Sequence, residues 1–141
     1  MQLPSDPVPI DADEKQLGRI LDNLINNGLS YTTRPPQLSI SVSSERGRAL
    51  VRVADNGAGI LESERERVFE RFHRTSDPAF RNVAGTGLGL FIGRQLAEGH
   101  GGSLTIESSV PDEGTIFALA LPLSAADRAG VEEPTVAASV A

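Results

Sequence analysis

The chain has 141 residues, a formal net charge of -6, no cysteine and a single lysine, Lys15. That length suits one domain with a single core, and the lack of cysteine excludes disulfides and thiolate metal sites, fitting an intracellular protein without requiring it. The negative charge argues against sequence-independent nucleic-acid binding, and a phosphate ligand would have to be held by arginine, backbone N–H groups or a metal. No apolar stretch approaches a membrane span and no signal-peptide pattern opens the chain. The expectation is therefore a cytoplasmic domain that makes no membrane contact, is monomeric in isolation, and whose parent protein can still be membrane-anchored.

Three prolines exclude residues 2–9 from a central strand, although Val8 to Ile10 suit a sheet edge. Asp11 or Asp13 can cap a helix running to about Leu29, with Leu17, Ile20, Leu21, Leu24 and Gly28 at the helical period. Leu38, Ile40 and Val42 alternate, as do Ala49, Val51 and Val53, and Gly47 between them predicts a hairpin. Glu62 to Phe72 is charged and predicts a short helix, followed by a polar loop from Thr75 to Val83. A second amphipathic helix begins near Gly89, with Leu88, Phe91, Ile92, Gln95 and Leu96 on one face, and ends at Gly99 to Gly102. Leu104 and Ile106, then Phe117, Leu119 and Leu121, predict a second strand pair around a turn at Pro111 to Gly114. From Ser124 the chain has no periodicity, which predicts a disordered tail over 124–141 behind a domain spanning 1–123. Helices bunched between antiparallel strand pairs predict an α+β two-layer sandwich. Its mixed, mostly antiparallel sheet would have about five strands, covered on one face by about three helices.

Chemistry concentrates in four places. Asn23 and Asn27 sit one turn apart, with Ser30 and Tyr31 on the following turn. Asparagine is a poor residue for a helix interior, and its carboxamide oxygen is a neutral ligand for a hard cation such as Mg²⁺; an ordinary polar helix face accounts for the pair equally well. Asp55 ends a strand in phase with Val51 and Val53, so its carboxylate points toward the buried face and needs a donor, for which an adenine amine is suited. Gly57 and Gly59 would let the backbone pass beneath a ring, and Asp55-Asn56-Gly57 is also a common turn. Gly85-Thr86-Gly87-Leu88-Gly89 runs into a helix, so its N–H groups and the helix dipole converge on a phosphate site. It is neither a dinucleotide fingerprint nor a Walker A loop. Arg74 and Arg81 are candidates for a terminal phosphate, against surface salt-bridging; His73 reads as solvated and His100 as support for a helix end.

In this order the motifs resemble the catalytic ATP-binding domain of bacterial sensor histidine kinases, within the superfamily shared with gyrase, the Hsp90 chaperones and MutL. Residues 16–32 resemble the N box, Asp55 to Ile60 the G1 box, Val68 to Arg74 the F box and Gly85 to Leu90 the G2 box, and the likeness extends over about residues 8–123. The resemblance implies a Bergerat fold that binds ATP and Mg²⁺. It implies that Asn27 coordinates Mg²⁺ with Asn23 beside it, that Tyr31 flanks the nucleotide, and that Asp55 accepts from the adenine amino group. Gly57, Gly59 and Ile60 would line the base pocket, and Gly85, Thr86, Gly87, Leu88 and Gly89 would embrace the phosphates under a lid from about Thr75 to Ala84. Arg74 would steady the γ-phosphate, so that Asn23, Asn27 and Arg74 form the catalytic set. The implied function is to donate the γ-phosphoryl to a histidine on a separate dimerisation domain and, through it, to a response regulator.

Three residues depart from the family pattern: Gly28 stands for the usual alanine, Ser30 for a frequent lysine, and Gly93 for a larger apolar residue. Ser30 motivates an alternative, a nucleotide-binding module that docks to a partner without transferring phosphate. A serine kinase of the anti-sigma type is a further alternative, disfavoured by the full F box from Phe69 to Phe72.

Overall fold

A computed structural model describes residues 10–32, 34–71, 88–124 and, by backbone alone, 133–140. Helix α1 (Glu14–Ser30) starts where Asp13 accepts the Gln16 N–H, and its buried stripe is Ile20, Leu24 and Gly28. Strands β1 (Leu38–Glu45) and β2 (Arg48–Asp55) form the expected hairpin. Its two-residue turn needs positive φ twice, which Arg46 (52°) and Gly47 (75°) supply. Helix α2 (Gly89–Gly99) is followed by β3 (Ser103–Val110) and β4 (Gly114–Pro122). With β5 (Glu133–Val140), the sheet order is β3-β4-β2-β1-β5, and every pairing among the described strands is antiparallel.

The two helices pack on each other and share one face of the sheet. Between the layers lie Ile20, Leu24, Leu38, Val53, Phe69, Ala97, Leu104, Phe117, Leu119 and Leu121. Phe69 meets Phe117 edge to face, with ring centroids 6.3 Å apart, and burying side chains of this size stabilises by about 1.5–3 kcal/mol each. The other face is held by charge. Arg52 on β2 reaches across the small Ala118 of β4 to Glu107 on β3, with Nε within 3.0 Å of both carboxylate oxygens, and toward Glu45 on β1.

Three sequence expectations need correction. Glu62 to Phe72 is not a helix over its described part but two 3₁₀ turns, Glu62–Glu64 and Arg67–Phe69. The chain is drawn inward there, because Arg65 donates to the Ser109 carbonyl (2.8 Å) and Phe69 is buried. The core side of α2 is not the Leu88, Phe91, Ile92 and Gln95 face. Gly93 and Ala97 are the buried residues, with Leu90 and Leu96 packed beside them, because small residues allow the helix to approach α1 and β3 closely. Of the expected N-terminal edge segment, Val8 to Ile10, only Ile10 lies among the described residues, and it bridges Leu123. The expected disordered tail contains β5, which takes up the backbone groups along the open edge of β1.

Candidate functional site

The described part of the site lies where α1 ends, β2 ends and α2 begins. Asp55 pairs with Leu38 at the last position of the β1–β2 ladder. Its Oδ1 accepts the Gly57 N–H at 2.8 Å. Burial pushes the Asp55 carboxyl above its ordinary value, and the backbone N–H groups of Gly57 and Thr115 oppose that rise. Gly28 brings α1 directly against this group, since a Cβ on Gly28 would lie 3.3 Å from Asp55 Cβ and 2.6 Å from Leu38 Cδ2. The half-buried carboxylate therefore stands at the junction of helix and sheet, with two fixed donors.

Beyond it the G1 loop is stitched to its surroundings. The Ala58 N–H donates to the Tyr31 carbonyl (2.9 Å), the Asp112 N–H to the Ala58 carbonyl (2.7 Å) and the Ile60 N–H to Ser109 Oγ (2.7 Å). A Cβ on Gly57 would run into the Tyr31 carbonyl oxygen, and one on Gly59 into the Val110 carbonyl. Gly59 also holds φ at 75°, a left-handed conformation that glycine adopts without cost.

On α1, Asn23 and Asn27 are half-buried and one turn apart. The Asn23 carboxamide donates to the Gly89 carbonyl at 3.1 Å, tying the N box to the start of α2. Leu88 is the residue before the helix and Gly89 its first residue. A Cβ on Gly89 would make only ordinary contact with Asn23, at 3.7 Å or more. The structure thus brings Asn23, Asn27, Tyr31, Asp55, Gly57, Gly59, Ile60, Leu88 and Gly89 to one end of the fold. Arg74, Gly85, Thr86 and Gly87 lie outside the described residues, as do His73, Arg81 and the 75–84 loop. His100 does support a helix end: its Nδ1 faces the Leu96 carbonyl (2.8 Å) and its Nε2 accepts the Asp13 N–H (3.1 Å).

Residues 12–125 match the family described as histidine kinase-, DNA gyrase B- and HSP90-like ATPases. The chain belongs to this ATPase family. It is 40% identical over 111 residues to the sensor histidine kinase RppB of Synechocystis, covering 79% of this chain and 24% of that protein. It is 34% identical over 122 residues to the sensor histidine kinase WalK of Bacillus subtilis, covering 85% and 20%. Among solved structures it is similar to the mycobacterial sensor histidine kinase MprB (TM-score 0.72, 30% identity, covering 81% of this chain and 76% of that one). It is also similar to full-length ShkA in complex with AMPPNP (TM-score 0.66, 31% identity, covering 86% and 23%). The chain spans a quarter or less of the length of these two curated relatives.

For an ATPase-family domain, the donors present fit an adenine nucleotide and a hard cation. Asp55 is a partly buried carboxylate, the kind of acceptor an amine donor requires. The Asn27 carboxamide oxygen is a suitable Mg²⁺ ligand only if phosphates and waters complete the shell, since among the described residues no group of three or more His, Cys, Asp or Glu could hold a metal. No described helix is long and apolar enough to cross a membrane.

Sequence reasoning missed several residues that build this end. No motif marks Thr115, yet its N–H acts on Asp55 and its hydroxyl lies 2.8 Å from Ser109 Oγ. Arg34 and Asn56 also went unnoticed. Only the Asp-Asn-Gly order hinted at Asn56, and nothing local marked Arg34.

Proposed function

We propose that this chain is the Mg²⁺-ATP-binding catalytic domain of a two-component sensor histidine kinase. The observation that carries this reading is Asp55, half-buried against Gly28 and gripped by two backbone N–H groups, with Asn23 bonded to the first residue of α2 and Asn27 one turn further along α1. Asp55 accepts from the adenine amino group, Tyr31 and Ile60 border the base, and Leu88 and Gly89 begin the phosphate-binding turn. Asn27 holds Mg²⁺, which when bound offsets charge on the phosphates. The domain forms no covalent intermediate of its own: a histidine nitrogen from a separate dimerisation domain attacks the γ-phosphorus in line, the bond to the bridging oxygen breaks, and ADP leaves. Arg74 is assigned to the γ-phosphate from its position in the F box, and the phosphoryl group then passes to a response regulator.

Calorimetric titration with a non-hydrolysable ATP analogue tests the site. Asp55→Asn is expected to weaken binding about 30-fold, because loss of a charge-assisted hydrogen bond costs about 2 kcal/mol. A carboxamide has one acceptor oxygen for the Gly57 and Thr115 donors and must aim its NH₂ at one of its partners. Asn27→Ala is expected to abolish the Mg²⁺ dependence of affinity. Unchanged binding in both variants defeats the assignment.

The pH response follows from the raised Asp55 value. Stability contributed by its protonated form is full below the ordinary value of 3.8 and is lost as pH rises through the raised one. Nucleotide affinity moves the other way, rising with pH as the accepting carboxylate forms, and Asp55→Asn flattens that profile. Radiolabelled ATP mixed with the parent's dimerisation domain tests transfer. An acid-labile product supports the kinase reading, an acid-stable one favours a serine kinase, and binding without transfer favours the docking module suggested by Ser30.

A further inference from the structure

Arg34 lies in the connection between α1 and β1, in a Thr-Arg-Pro-Pro context with no motif to mark it. An exposed arginine ordinarily pairs with a carboxylate or with water. This one donates from a single nitrogen, Nη2, to two main-chain carbonyls: Asn56 at 2.6 Å and Asp112 at 2.9 Å. Asn56 returns the connection, its Oδ1 accepting the Gln37 N–H at 2.9 Å and its Nδ2 donating to the Pro35 carbonyl at 3.1 Å. The Asp112 N–H closes the ring on Ala58. Three segments that are remote in sequence are therefore clamped around the G1 loop by one guanidinium.

The decisive detail is which peptide group Arg34 holds. The Asn56 carbonyl and the Gly57 N–H belong to the same planar, trans unit. Arg34 donates to its oxygen, and its N–H donates to Asp55 Oδ1 at 2.8 Å. Fixing the oxygen fixes the direction of the N–H. A cation on the oxygen also polarises the amide and strengthens the hydrogen bond at its other end.

We infer that Arg34 is a positioning residue for nucleotide-base recognition, acting through the Asn56–Gly57 peptide to aim the Asp55 carboxylate. This inference rests on the adenine-binding reading above. It adds a residue outside the four boxes on which that reading depends, and it predicts coupling between a surface arginine and base selectivity.

The test uses the whole chain, with Arg34→Met, Arg34→Lys and, as a charge control at the opposite end of the hairpin, Arg48→Gln. Two quantities are measured in each: the Gly57 amide proton shift by NMR, and the affinity ratio for non-hydrolysable ATP and GTP analogues. In Arg34→Met the Gly57 proton is expected to move upfield as its hydrogen bond weakens, and the adenine preference to fall about tenfold, the scale of one hydrogen bond. Arg34→Lys, which keeps a cationic donor but not the fork, is expected to recover part of both; Arg48→Gln is expected to change neither. An unmoved Gly57 proton overturns the inference, as does an adenine preference retained within twofold. If the unaltered chain shows no adenine preference, the functional reading fails instead, and the Gly57 shift still decides whether Arg34 acts through that peptide.

Discussion

The two glycine clusters look alike in sequence and answer to different constraints. In the first, the glycines are required by the protein itself: the Tyr31 carbonyl closes on Gly57 and the Val110 carbonyl on Gly59. In the second, the described member is Gly89, whose nearest packing neighbour among the described residues is Asn23 at ordinary van der Waals distance, so their packing does not explain why a side chain is missing. A glycine whose space the protein fills is a folding residue, even inside a binding loop. One whose space stays open is not held by packing, and at Gly89 the proposed phosphate site supplies a reason for the missing side chain.

That contrast can be broken by substitution. Gly59→Ala must hold a left-handed backbone and displace a main-chain carbonyl. A loss of about 3 kcal/mol or more is expected, lowering the melting temperature by about 10 °C or more in a scanning calorimeter. A melting point within a few degrees of the parent would assign Gly59 to the ligand instead. Gly89→Ala should do the reverse. Thermal stability should stay the same or rise by up to about 1 kcal/mol, the helix-propensity gain, while affinity for the ATP analogue falls about tenfold by obstruction of the phosphates. Retained affinity would place the phosphates elsewhere. Gly28→Ala should have the smallest effect. Its Cβ meets Leu38 Cδ2, the end of a flexible side chain, at 2.6 Å, so a repacking cost of about 1 kcal/mol nearly cancels a similar gain in helix propensity. A melting shift much beyond a few degrees in either direction would show that α1 cannot give way at Asp55.

Features written in short-range chemistry were legible in the sequence. Asp13 caps α1 through a side-chain bond three residues away, Gly47 allows the hairpin turn, and Gly101, at φ 78°, ends α2 with the Gly102 N–H bonded back to the Ala97 carbonyl. Of the site residues, Asp55 was found from strand phase and the asparagines from their poor fit to a helix. What escaped depends on distant partners. The charged run after Leu61 resembles a helix until Arg65 is drawn to Ser109 and Phe69 to Phe117. The buried side of α2 was misjudged because hydrophobicity undervalues Gly93 and Ala97, whose contribution is closeness. Arg34 was invisible because its partners are backbone carbonyls, which carry no residue identity.

One consequence follows from how the two helices are joined. His100 meets Asp13 at one end of the pair and Asn23 meets Gly89 at the other, two rungs about 15 Å apart along α1. A ladder with two rungs resists sliding, because displacing either helix along its axis breaks both bonds at once. The asparagine-bearing helix and the helix that opens at Gly89 are therefore expected to move together as one jaw rather than past each other.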